Sequence, residues 1–272
     1  MLPATFSILF VLLAQLTSNS STNDIFHPPT ESAAYIQIIF RWFHFLAGIT
    51  WIGHLYFFNL VNVNFMKALD APTKGKVIPQ LMPRALWWFR WGAVVTVLVG
   101  IAYYVMYMIA PDAKNPRNAA GGRGTMVIFL VWLIIIVAFF AIEFFVLRKI
   151  NNGWVVAVIV FLLMIVMSIV ILYWLRSSLP VVLSTGTASI GIGGAIGIMM
   201  LLNVWGIIWP NQKRIISWTA DNAENGTTIP SESPGLARIA FLASRANTWL
   251  SVPMLFFMGA SAHFGGYLGL TP

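Results

Sequence analysis

The sequence predicts an all-α fold, a polytopic transmembrane helix bundle with six long spanning helices and a short N-terminal one. Three observations carry this. The 272 residues are 59% hydrophobic and only 9% charged, against about 25% charged in soluble domains. Mean hydropathy is +0.82. Several runs reach the roughly 20 apolar residues that a bilayer crossing needs.

Residues 4–17 are apolar but lack a basic leader, and read as a weak signal peptide, a signal anchor or a first short helix. Residues 18–32 are polar, hold Asp24 and Glu31, and read as an exposed tail. The chain therefore divides into a segment over 1–32 and a membrane domain over 33–272. Six spans are predicted, at 33–61, 85–110, 125–147, 153–175, 188–209 and 236–264. Trp87, Trp88 and Trp91 flank Arg90 as an interfacial aromatic belt. Gly193 and Gly197 form a small-xxx-small packing face, in an apolar helix that lacks the strand and basic residue of a nucleotide loop. Residues 211–235, rich in Asn, Gly, Thr, Ser and Pro, read as a linker or docking segment.

Net charge is +8, yet the basic residues sit between apolar runs, a topology signal rather than a nucleic-acid patch. Lys67, Lys74, Lys76, Arg84, Arg148, Lys149, Lys213 and Arg214 fall on one side. Lys114, Arg117, Arg123 and Arg176 fall on the other. Positive-inside logic puts the Lys74 segment in the cytoplasm and the 18–32 tail outside. Cysteine is absent, which excludes disulfides, thiolate metal sites, iron–sulfur clusters and a covalently attached haem.

Ionisable groups inside a span are costly and mark function, and the first long span holds Arg41, His44 and His54. Gln37, Arg41, His44 and Gly48 are spaced four, three and four apart, so they share one helix face. Gly48 removes a side chain one turn from His44, as a flat macrocycle requires and as close helix packing also requires. Arg41 either pairs with a haem propionate or snorkels to the interface, and His44 either ligates the metal or makes an interhelical hydrogen bond. His54 lies about 15 Å deeper and about 80° around the axis, too far to share a metal with His44. It fits a second cofactor or a structural hydrogen bond, with Glu143 as one partner; Glu143 otherwise pairs with Arg90 or Arg148. His263 ends the last span on the same side as His44, and two imidazoles from different helices at matching depth suit a six-coordinate b-type haem. The competing reading of His263 is a solvated terminal residue. His27 reads as a surface residue.

Three segments resemble the urate oxidase N-terminal family, the membrane domain of bacterial cytochrome-c-linked urate dehydrogenase and related membrane proteins. They are Arg41-Trp42-Phe43-His44 with Ala47-Gly48-Ile49-Thr50-Trp51-Ile52-Gly53, Asn203 with Ile207-Ile208-Trp209-Pro210-Asn211-Gln212-Lys213-Arg214, and Asn247-Thr248-Trp249-Leu250-Ser251-Val252-Pro253-Met254 closing on Ser261-Ala262-His263. The resemblance runs from Arg41 to Gly266. It implies a module in a bacterial inner (plasma) membrane that passes electrons towards cytochrome c, with His44 and His263 on family histidines. The family's urate enzymes carry a C-terminal cytochrome c domain, which these 272 residues do not contain, and His54 stands where a small residue is usual.

The functional expectation is a membrane subunit of a respiratory or photosynthetic electron-transfer complex. Haem b would sit on His44 and His263 with Arg41, Gly48 and His54 around it, quinone being the other cofactor considered. The rivals are a membrane urate dehydrogenase using a separate cytochrome c, and a cofactor-free structural subunit. Expected partners are the lipid bilayer, other subunits of the complex and cytochrome c, with no nucleic acid. The topology is directly testable: a cysteine in place of Lys74 should react with a membrane-impermeant thiol reagent only after cells are opened, and labelling in intact cells would reverse the orientation.

Overall fold

The computed structural model describes residues 32–263 and residue 268. His27, the 4–17 segment, the tail as far as residue 31, and Gly265 and Gly266 lie outside the described residues. Contacts divide the chain into Met1–Ile38 and Ile39–Pro272. In the first unit the described residues are the opening turns of one helix; the second unit holds all the other elements.

Every regular element among the described residues is helical. Helix α1 (Ser32–Tyr56) passes through a π-helical turn, Phe57–Asn62, into α2 (Val63–Ala68). Asp70 then caps α3 (Ala71–Tyr104), accepting a bond from Thr73 N at 3.1 Å. Side chain and backbone of Thr73 together hold the Asp70 carboxyl below its usual range. A π turn at Val105–Ile109 leads into α4 (Ala110–Ala113), followed by a 3-10 turn at Pro116–Asn118. The remaining helices are α5 (Thr125–Lys149), α6 (Gly153–Ser178), α7 (Thr185–Asn203), then a π turn Val204–Ile208, α8 (Trp209–Asn225) and α9 (Ser233–His263).

Five stretches are long and apolar enough to cross a membrane: Ala34–Ala68, Ala71–Ala113, Thr125–Lys149, Gly153–Ser178 and Thr185–Asn225. This is an integral membrane protein. The sixth expected span corresponds to α9, at 31 residues longer than α5 or α6 but interrupted by Arg238, Arg245 and a run of polar side chains. Two expected loops are helix instead. Lys74 and Lys76 lie in the first turns of α3, which continues through Pro79 and Pro83; each proline removes one backbone bond and favours a bend rather than a stop. Residues 211–225, read as linker, continue the helix that begins at Trp209. It ends where Gly226 takes φ 66°, the left-handed conformation that glycine adopts freely at a helix end.

Helix α7 lies at the centre, enclosed on nearly every side from Thr185 to Asn203. Its small residues permit this. A Cβ on Gly193 would lie 3.3 Å from Met254 O of α9, and one on Gly197 4.0 Å from Met254 Cγ. A Cβ on Gly191 would lie 2.6 Å from the Tyr104 hydroxyl, which instead donates to Thr187 O at 3.1 Å. Trp132 donates to Gly191 O at 2.9 Å. The outer helices α5 and α6 expose Ile134, Phe145, Val158, Phe161 and Ile169, apolar surface suited to lipid tails. Trp87, Trp88 and Trp91 are also exposed, and the Arg90 guanidinium stacks 3.6 Å above the Trp209 ring.

The α1 backbone is approached closely at Gly92, where a Cβ would stand 3.2 Å from Trp51 N and 3.3 Å from Ala47 O. Both neighbours are backbone and cannot rotate away. Gly92→Leu is therefore expected to destabilise the bundle by about 1–3 kcal/mol, read as an earlier transition in detergent-denaturant unfolding; wild-type stability in this variant would contradict the packing.

Candidate functional site

Helices α1 and α3 run antiparallel along a strip of small residues. Gly92, Thr96 and Gly100 recur every four positions and so share a face. What α1 presents to them is Trp51, Gly48 and His44. A Cβ on Gly48 would lie 3.8 Å from Thr96 Cγ2, and one on Gly100 would lie 2.9 Å from His44 Cε1 and 3.0 Å from Nδ1. The imidazole therefore occupies the notch that Gly100 leaves open, and the direction in which Gly48 lacks a side chain is towards Thr96.

His44 is half-buried, with Nδ1 2.9 Å from Thr96 O. A backbone carbonyl only accepts, so Nδ1 carries the proton and Nε2 keeps its lone pair. Arg41, one turn away, is exposed, with its guanidinium 5.4 Å from the centre of the Tyr103 ring, a cation–π distance. His54 turns to its own helix, Nδ1 lying 2.7 Å from Thr50 O. His263 is exposed at the end of α9.

The relative heights of His44 and His263 follow from two contacts. Tyr56 and Ser251 share a hydroxyl–hydroxyl bond of 2.9 Å, and Asn59 donates to Ser244 Oγ at 2.8 Å, so α1 and α9 are antiparallel. His44 precedes Tyr56 by twelve residues and His263 follows Ser251 by twelve. Each is thus displaced by about 18 Å in the same direction. Among the described residues no group of three or more His, Cys, Asp and Glu side chains is placed to hold a metal.

A second polar centre lies where α5, α7 and α9 meet. Glu143, Asn203 and Asn247 are each 0% exposed. Asn203 donates to Glu143 Oε1 at 3.0 Å and to Asn247 Oδ1 at 2.9 Å. Asn247 donates to Met200 O at 2.9 Å. The partner of Glu143 is thus an asparagine, not His54, Arg90 or Arg148. Arg148 stacks on the Phe144 ring at 4.1 Å. Sequence reasoning singled out each of the three residues separately without joining them. The available signal was a lone carboxylate in the apolar 25-residue helix α5 and an asparagine in each of two other spans. A cavity of about 100 Å³ is lined by Asn59, Asn62, Gln212 and Ser244 among apolar neighbours.

A family model described as urate oxidase N-terminal matches residues 69–270. No curated protein and no solved structure matches the chain. Glu143, Asn203, Asn247 and His263 fall within the matched residues, whereas His44 precedes them.

Truncating the shared amide should be expensive. Asn203→Ala leaves Glu143 Oε1 and Asn247 Oδ1 buried without donors, at roughly 1–3 kcal/mol each. The expected result is a large loss of stability in detergent-denaturant unfolding with the helical circular dichroism of the folded state retained, and a change under about 1 kcal/mol would contradict the network.

Proposed function

The chain belongs to the urate oxidase N-terminal family, and from that premise we propose that it is a membrane subunit of an electron-transfer complex, binding haem b through His44 and His263. The observation that carries this reading is the state of the His44 imidazole. Histidines that ligate metal commonly donate their other ring N–H to a backbone carbonyl, which fixes tautomer and orientation. His44 has that bond, to Thr96 O at 2.9 Å, and the Gly100 notch holds the ring in place. Nε2 is the nitrogen left for iron. The matching heights of His44 and His263 along antiparallel helices support the pairing, and the Arg41 guanidinium one turn away suits a propionate.

When bound, haem b supplies a one-electron couple. The chain's own part is to present two imidazoles and to keep a cation near the ring's carboxylates. In this reading α9 is the sixth crossing, with Arg238 and Arg245 towards the cytoplasm. The membrane is the bacterial inner membrane, with the 18–32 tail and His263 on its outer side. Electrons then pass to or from a separate polypeptide such as a cytochrome c.

Family membership also favours a second reading, in which the chain works as a membrane urate dehydrogenase with a separate cytochrome c. Urate-dependent reduction of an added acceptor distinguishes that enzyme from a subunit that only carries electrons.

Protein purified from haem-replete membranes is expected to show a Soret band and a pyridine haemochrome of the b type. His44→Ala and His263→Ala should each abolish the low-spin spectrum. A wild-type protein without a Soret band would remove the haem reading and leave a structural subunit or a quinone site.

A further inference from the structure

The Glu143 cluster has a leftover that the haem reading does not use. Two buried acceptor oxygens find no donor, Glu143 Oε2 and Asn203 Oδ1. They belong to two side chains already joined by the bond from Asn203 Nδ2 to Glu143 Oε1. The amide orientations are not arbitrary. Met200 O can only accept, so Asn247 must turn its Nδ2 to it and its Oδ1 to Asn203. Asn203 must then present Nδ2 to Asn247, which leaves Oδ1 as its unpaired atom.

No described cation lies within ion-pair distance of Glu143; the ion pair among the described residues joins Arg214 and Glu232. Arg148 stacks on Phe144 and Arg245 on Phe241, and Arg238 donates to Asn151 O. Arg90 stacks on Trp209 with its Nε and Nη1 buried and without a hydrogen-bond acceptor, yet it makes no ion pair with Glu143. Helix α7 carries no ionisable residue between Thr185 and Asn203, and α6 carries only Arg176, in its last turn. An ionised carboxylate in this surrounding would be a buried charge with one donor and no counter-ion, an arrangement proteins avoid.

One proton resolves all of it. On Oε2 it removes the charge and makes that oxygen an O–H donor, and the acceptor left over on the same amide is Asn203 Oδ1. The same amide already donates to the other carboxyl oxygen, Oε1, at 3.0 Å. We propose that Glu143 is a neutral carboxylic acid paired with Asn203, and that the Glu143–Asn203–Asn247 cluster is a proton-binding site within the membrane-spanning bundle. Intramembrane carboxyls that bear protons are a recurring device for moving them. The cavity lined by Asn59, Asn62, Gln212 and Ser244 comes nearest to it along α9, where Ser244 stands one turn before Asn247. The proposal stands whether or not His44 holds a haem.

The test is infrared spectroscopy of the full-length protein in lipid nanodiscs at neutral pH. The expected spectrum contains a carboxylic-acid carbonyl band that shifts down in deuterium oxide and is lost in Glu143→Gln. The carboxamide introduced by that substitution retains a donor and an acceptor for Asn203, so the variant should unfold at the wild-type temperature. Incorporating glutamate labelled with heavy carbon at its side-chain carboxyl should shift the acid band of the wild-type protein. That measurement needs no variant and separates the glutamates from the buried Asp112; Glu224 and Glu232 are exposed to water, Glu31 lies outside the described residues, and loss of the band in Glu143→Gln assigns it to position 143. A difference spectrum with carboxylate bands and no acid band would overturn the proposal. So would an unfolding temperature that rises with added sodium in the wild type but not in Glu143→Gln, since it would assign the leftover oxygens to a cation.

Discussion

A polar atom at the depth of the lipid tails has no water to turn to, and the arrangement of this bundle depends on which helices supply its partners. Three side chains show the pattern. Trp132 reaches Gly191 O, Tyr104 reaches Thr187 O and Asn247 reaches Met200 O. All three acceptors are backbone carbonyls of α7, which makes that helix the hub to which α3, α5 and α9 are pinned. Hydrophobicity cannot distinguish α7 from lipid in the way it drives burial in water. The helix is held instead by close approach at Gly191 and Gly193 and by these bonds.

Departures from α-helical geometry cluster at the same polar positions. The π turns cover Phe57–Asn62, Val105–Ile109 and Val204–Ile208. The first contains the buried Asn59 and Asn62, the second comes directly after Tyr104, and the third directly after Asn203. A π turn inserts one residue into the ladder and rotates the next turns of the helix, and such turns are frequent at functional sites. Here each one lies within a turn of an amide or hydroxyl that must meet a partner on another helix. Pro79 and Pro83 lie instead in the stretch of α3 that packs along α8.

What the sequence made legible was whatever rests on apolar length and small-residue spacing. The spans at α5 and α6 were readable to within a few residues, because hydropathy there is unbroken. The Gly193 and Gly197 face was readable because glycine in an apolar helix has few other uses. What escaped was helix built from polar residues: 211–225 has the composition of a loop, yet it continues a helix begun inside the membrane and packs against α3. The partner of Glu143 also escaped, since nothing in linear spacing says which of several helices will face a lone carboxylate. Charge complementarity pointed to Arg90 or Arg148, but both guanidiniums stack on aromatic rings and neither forms an ion pair with Glu143.

Two histidines in α1 show why local pattern alone does not pick a ligand. His44 and His54 both place Nδ1 against a backbone carbonyl, at 2.9 Å and 2.7 Å, so both have the same tautomer and a free Nε2. The carbonyls differ. His54 bonds to Thr50 of its own helix, so any local helix supplies that bond and it fixes nothing relative to the rest of the bundle. His44 bonds across to α3, and its ring fills a notch that any side chain at position 100 would close. Its orientation is therefore set by the packing of two helices, the kind of support that holds a metal-binding imidazole within the narrow angular range that coordination needs. That support depends on Gly92, Thr96 and Gly100 acting together, because the small residues bring α3 close enough for its carbonyl to reach the ring.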